Sequence, residues 1–115
     1  MYGNLEAANA PRETVPRRAG LAQAFVAHVY DVPLAEMRGA KRGHPRAALA
    51  RQVAMYLSHV VFGMHISAIA VAFARHKTTV HHALKHIESL RDDAQFDGSL
   101  RVIEATLREA SGGGA

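Results

Sequence analysis

The chain has 115 residues, no cysteine and a formal net charge of +4, so it holds one domain, cannot form disulfides or cysteine-zinc ribbons, and is too short for a two-domain enzyme. No apolar run approaches the roughly 20 residues needed to cross a bilayer, because Arg51 to Arg75, the least charged stretch, is interrupted by Ser58, His59, Gly63, His65 and Ser67. The opening Met1-Tyr2-Gly3-Asn4 lacks a basic end followed by an apolar block, so no secretory signal is expected, and the thiol-free composition suits a reducing cytoplasm.

Residues 1–16 hold Gly3, Pro11 and Pro16 with few large apolar side chains and read as a flexible arm. A first helix is expected from Arg18 to Tyr30, with Leu21, Phe25, Val26 and Val29 as its apolar stripe. Asp31-Val32-Pro33 ends it, since proline disfavours helix in the residue before it. Pro33 to Met37 forms one short turn, and Gly39 to Pro45 is a basic loop carrying Lys41 and Arg42. A strong helix is predicted from Arg46 to Phe62, with Leu49, Val53, Leu57, Val60 and Val61 inward and Arg51 and Gln52 off that stripe; Gly63 stops it.

A short apolar segment, Ile66 to Phe73, places Ile66, Ile69, Ala70 and Phe73 on one side. A polar break, Ala74 to Lys77, leads to Thr78, whose hydroxyl is suited to cap the next helix. That helix runs to Asp93 with Val80, Ala83, Leu84, Ile87 and Leu90 inward, which leaves His81, His82, Lys85 and His86 facing out or sideways. A last helix is expected from Gly98 to Glu109, capped by Asp97, with Leu100, Ile103 and Leu107 as its stripe and Glu104 and Arg108 as an i,i+4 pair. Ser111 to Ala115 reads as an unstructured tail. The expected architecture is an all-α, compact helical domain over residues 17–110, built around a helix-turn-helix.

Charge is unevenly distributed along these elements. Between Met37 and Ile87 there is no Asp or Glu, while Arg38, Lys41, Arg42, Arg46, Arg51, Arg75, Lys77 and Lys85 and seven of the eight histidines fall there. An ordinary solvated face mixes both signs, so an acid-free block of this length points to a polyanionic partner. A short apolar helix, a tight break and a longer helix opening on Thr78-Thr79 is the anatomy of a helix-turn-helix. The segment Arg75-His76-Lys77-Thr78-Thr79 is then presented to the major groove of double-stranded DNA, where threonine hydroxyls meet base edges or phosphates and their methyls meet thymine. The free backbone N–H groups of that first turn attract phosphate. Lys85, His82 and the loop cations supply phosphate contacts.

The segments Arg51-Gln52-Val53-Ala54-Met55-Tyr56-Leu57 and Ile69-Ala70-Val71-Ala72-Phe73-Ala74-Arg75-His76-Lys77-Thr78-Thr79-Val80, extended by His86-Ile87-Glu88-Ser89-Leu90-Arg91, carry a resemblance. They resemble the C-terminal DNA-binding domain of the bacterial replication initiator DnaA, and weaker similarity runs from Leu21 through the last helix. The resemblance implies DNA contacts for Arg51 and Gln52 and base reading by Thr78 and Thr79. It also implies that a basic loop residue, Lys41, Arg42 or Arg46, enters the minor groove. That family usually has Asp-His before the threonine pair where this chain has His76-Lys77, which alters the groove-facing tip and points away from the usual DnaA box. No phosphate-cradling Gly-rich Lys-Ser/Thr loop is present, so the chain is not expected to act as an initiator by itself.

These observations give a sequence-specific DNA-binding protein of the cytoplasm and nucleoid, most simply a transcriptional regulator working by promoter occlusion or by contact with RNA polymerase machinery. The alternatives are a replication-origin regulator competing for DnaA-like boxes and a protein-interaction adaptor that ignores DNA. His82 and His86 have the i,i+4 spacing of zinc ligands, but no Asp, Glu or Cys lies a turn away on their face to complete a set and Ala83 occupies the place where a metalloprotease needs Glu. Neither a metal nor a cofactor is expected. Without a carboxylate in the central block to orient an imidazole, neither is catalysis.

Overall fold

A computed structural model describes residues 14–39 and 45–112. The expectations for residues 1–13 of the arm, for Lys41 and Arg42, and for residues 113–115 of the tail lie outside the described residues. Among the described residues there are six helices and no strand: α1 (Thr14–Val29), α2 (Leu34–Arg38), α3 (Pro45–Val60), α4 (Ile66–Phe73), α5 (Lys77–Leu90) and α6 (Ala94–Ala110).

The central element is α3. Ala47, Ala50, Val53, Ala54, Met55, Tyr56, Leu57 and Ser58 are all buried, so most of its circumference is core. The buried hydroxyl of Ser58 is satisfied by donating to the Ala54 carbonyl at 2.8 Å. Against α3 lie α1 and α5, with α4 wedged beside α5 and α1, and α2 bridging α1 and α3. On α1 the buried residues are Ala19, Ala22, Gln23, Val26 and Ala27, whereas Leu21 and Val29 of the expected stripe are exposed. Three alanines and Val26 thus form most of the buried face of α1.

Two left-handed residues set the corners that matter for the site. Helix α3 ends at Val60, two residues before the expected Phe62, and Gly63 closes the turn that follows at φ +65, with its N–H on the His59 carbonyl at 3.0 Å. A Cβ there would meet nothing within 4 Å. Gly63→Ala therefore costs only the backbone strain of a left-handed residue, about 1 kcal/mol, and a drop in Tm of about 5 °C is expected on thermal denaturation. Ala74 closes α4 at φ 53, donating its N–H toward the Ala70 and Val71 carbonyls.

Three local expectations are corrected. Thr78 does not cap α5: the chain is already extended at His76 (φ −68, ψ 150), which occupies the N-cap position without a side-chain bond, so the helix begins at Lys77. Asp97 does not cap α6 either, because Asp93 accepts from the Gln95 N–H at 3.0 Å and starts the helix at Ala94. Glu104 pairs across space with Arg91 at 2.8 Å rather than with Arg108, whose Nη2 lies 3.4 Å from the Val60 carbonyl.

Candidate nucleic-acid interface

The pair α4 and α5 buries one side and leaves the other to solvent. Ile69, Ala70 and Phe73 of α4 and Val80, Ala83 and Ile87 of α5 enter the core. The 80, 83, 87 spacing turns the rest of α5 outward. Lys77, Thr78, Thr79, His81, His82, Lys85 and His86 are all exposed, and Thr78, His81, His82 and Lys85 form one stripe at i, i+3, i+4 and i+7. No carboxylate interrupts that stripe. At its head the first-turn N–H groups, unmatched within a helix, add the positive end of the helix dipole.

Beside this stripe a shallow depression runs between the two helices, lined by Ser67, Val71, Ala74, His76, Lys77 and Thr79 among others. Val71 is 82% exposed at its edge. Sequence reasoning gave Val71 no role. The signal was an apolar residue lying off the inward stripe of α4, on the side facing the break.

The arginines behave differently from the α5 side chains. Arg75 turns back into the domain: its Nη2 donates to the Gly39 carbonyl at 2.6 Å, and its Nη1 lies 3.2 Å from the Phe73 carbonyl and 3.3 Å from that of Ala74. Arg51 donates its Nε to the Met37 carbonyl at 2.7 Å and its Nη2 to Gly39 at 3.4 Å. Burial lowers the Arg51 pKa, and the neighbouring Arg75 charge pushes the same way. Gln52, next to Arg51 on α3, is half-buried. Arg46, at the other end of the basic loop, is exposed and donates its Nε to the Tyr30 carbonyl at 2.6 Å.

Arg51 and Arg75 thus tie the origin of the basic loop, at Gly39, to the turn that presents α5. Arg51→Ala removes two charge-assisted bonds and is expected to lower stability by about 1 kcal/mol, read as a shift in the urea midpoint. An unchanged midpoint would show that the tie carries no weight in the fold.

Residues 21–87, more than half of the chain, match the family model described as the bacterial dnaA protein helix-turn-helix. The chain belongs to the DnaA-type helix-turn-helix family of DNA-binding domains. The chromosomal replication initiator proteins DnaA of Burkholderia multivorans and Burkholderia mallei are each 38% identical to it over 88 residues. Those matches cover 75% of this chain but only 17% and 16% of the relatives, so the chain spans about a sixth of their length. A crystal structure of a DNA replication initiation factor superposes with a TM-score of 0.81 at 27% identity, over 91% of this chain and 32% of the other.

In this DnaA-type domain the residues singled out in the sequence fall into two groups. His76, Lys77, Thr78, Thr79, His82 and Lys85 share the exposed face of α5, with Arg75 just behind it. Arg46, Arg51 and Gln52 belong to α3 at the loop side, and Arg75 links the two groups through Gly39. No group of three or more metal-ligating side chains gathers among the described residues, and none of their helices is long and apolar enough to cross a membrane.

Proposed function

We propose that this chain is a sequence-specific double-stranded-DNA-binding protein acting in transcription regulation. The observation that carries the reading is the acid-free, fully exposed face of α5, from Lys77 and the threonine pair to Lys85, on a helix whose other face is core. In this arrangement α5 lies in the major groove. Thr78 and Thr79 offer hydroxyls and methyls to base edges, and Val71 offers an apolar contact to a thymine methyl. Lys77, Lys85 and His82 meet phosphates, while the basic loop with Lys41, Arg42 and Arg46 tracks the minor groove.

Exposed acids outside the α5 stripe, Asp92 and Asp93 before α6 and Glu109 within it, are available to a protein partner such as the polymerase machinery. The replacement of the family's Asp-His pair by His76-Lys77 favours targets other than the usual DnaA box and hence promoters over the origin. A second reading, competition for DnaA-like boxes at the origin, is supported by the replication-initiator relatives. Genome-wide occupancy separates them: peaks at promoters are expected, and peaks confined to the origin would replace regulation of transcription by regulation of replication. An adaptor that ignores DNA would show no peaks dependent on α5.

Lys85→Ala is expected to weaken every duplex alike and to reduce the slope of log affinity against log salt by about 1, the signature of one lost phosphate contact. Fluorescence anisotropy across a salt series measures it, and an unchanged slope would remove Lys85 from the phosphate contacts.

A further inference from the structure

Behind the turn, α1, α2, α3 and the end of α4 enclose a cleft of about 310 Å3, lined by Gln23, Arg38, Arg51, Phe73 and Arg75 among others. Three guanidiniums face it and no carboxylate lines it. None of the three is in a salt bridge among the described residues. Arg51 and Arg75 aim their Nη2 groups at the same acceptor, the Gly39 carbonyl. Arg38 is anchored through its Nε on the side-chain oxygen of Gln23, a residue only 4% exposed, which leaves its two Nη groups for other partners.

The Gly39 carbonyl accepts from both guanidiniums but carries no charge to offset theirs. Partial burial raises the cost of their charge, and their mutual repulsion adds to it. The cleft therefore gathers planar, pre-positioned forks, the geometry that takes phosphate in paired hydrogen bonds. An anion bridging Arg38, Arg51 and Arg75 offsets the repulsion and accepts from donors left over, the two Nη groups of Arg38 and the Nη1 of Arg51.

We infer that this cleft is a binding site for a phosphate-class oxyanion. Because Arg75 belongs to the turn that presents Lys77, Thr78 and Thr79, an occupant draws on the same guanidinium that fixes the turn to Gly39, and the cleft is coupled to the α5 face. The oxyanion has two sources, a free phosphate compound or a backbone phosphate of bound duplex. The second source rests on the DNA-binding reading above and the first does not.

The test follows the arginine Nε–Hε and backbone amide NMR signals of the full chain while inorganic pyrophosphate, and separately a short duplex, is titrated at constant ionic strength. Saturable movement of the Arg38, Arg51 and Arg75 signals with pyrophosphate identifies a free-anion site. Arg38→Gln is then expected to weaken it by about tenfold, the loss of roughly one charge-assisted bond. Arg38→Lys, which keeps the charge without the fork, is expected to fall in between. Movement of the three signals with duplex alone assigns the site to the backbone. If the duplex shifts the Thr79 amide while neither titrant moves the three arginines, the cleft proposal is overturned. If no duplex binds at all, the DNA-binding reading fails and the pyrophosphate titration still decides the cleft.

Discussion

Arg91→Ala is expected to lower stability by about 2 kcal/mol, a fall in Tm of roughly 10 °C for a domain of this size, while leaving the α5 face intact. Arg91 follows the last residue of α5 and holds three elements together. Its Nε donates to Asp97 at 2.5 Å, and its Nη1 donates to Glu104 at 2.8 Å and lies 3.0 Å from the Tyr56 hydroxyl, which itself donates to Glu88 at 2.8 Å. The guanidinium carbon lies 5.7 Å from the centre of the Tyr56 ring. The side chains of Arg91 and Glu104 are 16% and 13% exposed, so removing the cation strands a mostly buried carboxylate, which costs more than an exposed ion pair contributes.

The same network sets a pH dependence. The hydrogen bond from Arg91, with the Arg101 charge beside it, lowers the Asp97 pKa below its ordinary 3.8. A depressed native pKa means stability that is fully present above the ordinary carboxylate range and is lost as the pH falls toward the native value. Urea midpoints compared at pH 7 and pH 3 should fall more steeply for the wild type than for Arg91→Ala. Parallel falls would show that Asp97 gains nothing from Arg91.

Thr79→Ala carries the largest expected effect on recognition. Thr79 is exposed in the first turn of α5 and lines the depression shared with Val71 and Lys77. Loss of its hydroxyl and methyl should relax discrimination at one or two base positions by about 1–3 kcal/mol, five- to more than a hundredfold, with nonspecific affinity and salt slope nearly unchanged. Sequencing the pools that wild type and variant select from randomised duplexes measures this. Identical rankings would mean that Thr79 does not read bases.

Much of the helix-turn-helix is legible in the sequence, and the reason is local. The apolar spacing of Ile66 to Phe73 is bounded by His65 and Ala74, and α4 has those limits in the structure. Of the five residues of α5 that the helical period turns inward, Val80, Ala83 and Ile87 are buried, and Leu84 and Leu90 pack partly buried against the core. Gly63 closes the turn after α3 because glycine alone takes that left-handed backbone without strain.

Where sequence and structure part, the deciding contact comes from elsewhere in the chain. Asp93 and Asp97 are both adequate caps, and Gly98 looks like a helix boundary. Asp97 is instead drawn to Arg91 and Arg101, and the helix starts one turn earlier. Arg51 lies off the apolar stripe of α3, and its bonds to carbonyls of α2 and the residue after it are not visible in that spacing. On α1 only Val26 of the expected stripe is buried, since Leu21 and Val29 are exposed and Ala19, Ala22 and Ala27 take their place in the core. The candidate site divides along the same line. The exposed face of α5 follows from helical period alone, but the inward turn of Arg75 depends on a carbonyl 36 residues away.

The most direct test of the account is duplex binding by the purified chain in a salt series, using a randomised pool and then the word it selects. Selection of a definite word is expected, with affinity that falls steeply and linearly on a log-log plot as salt rises. Failure to bind any duplex even in dilute salt, with the protein folded, would contradict it.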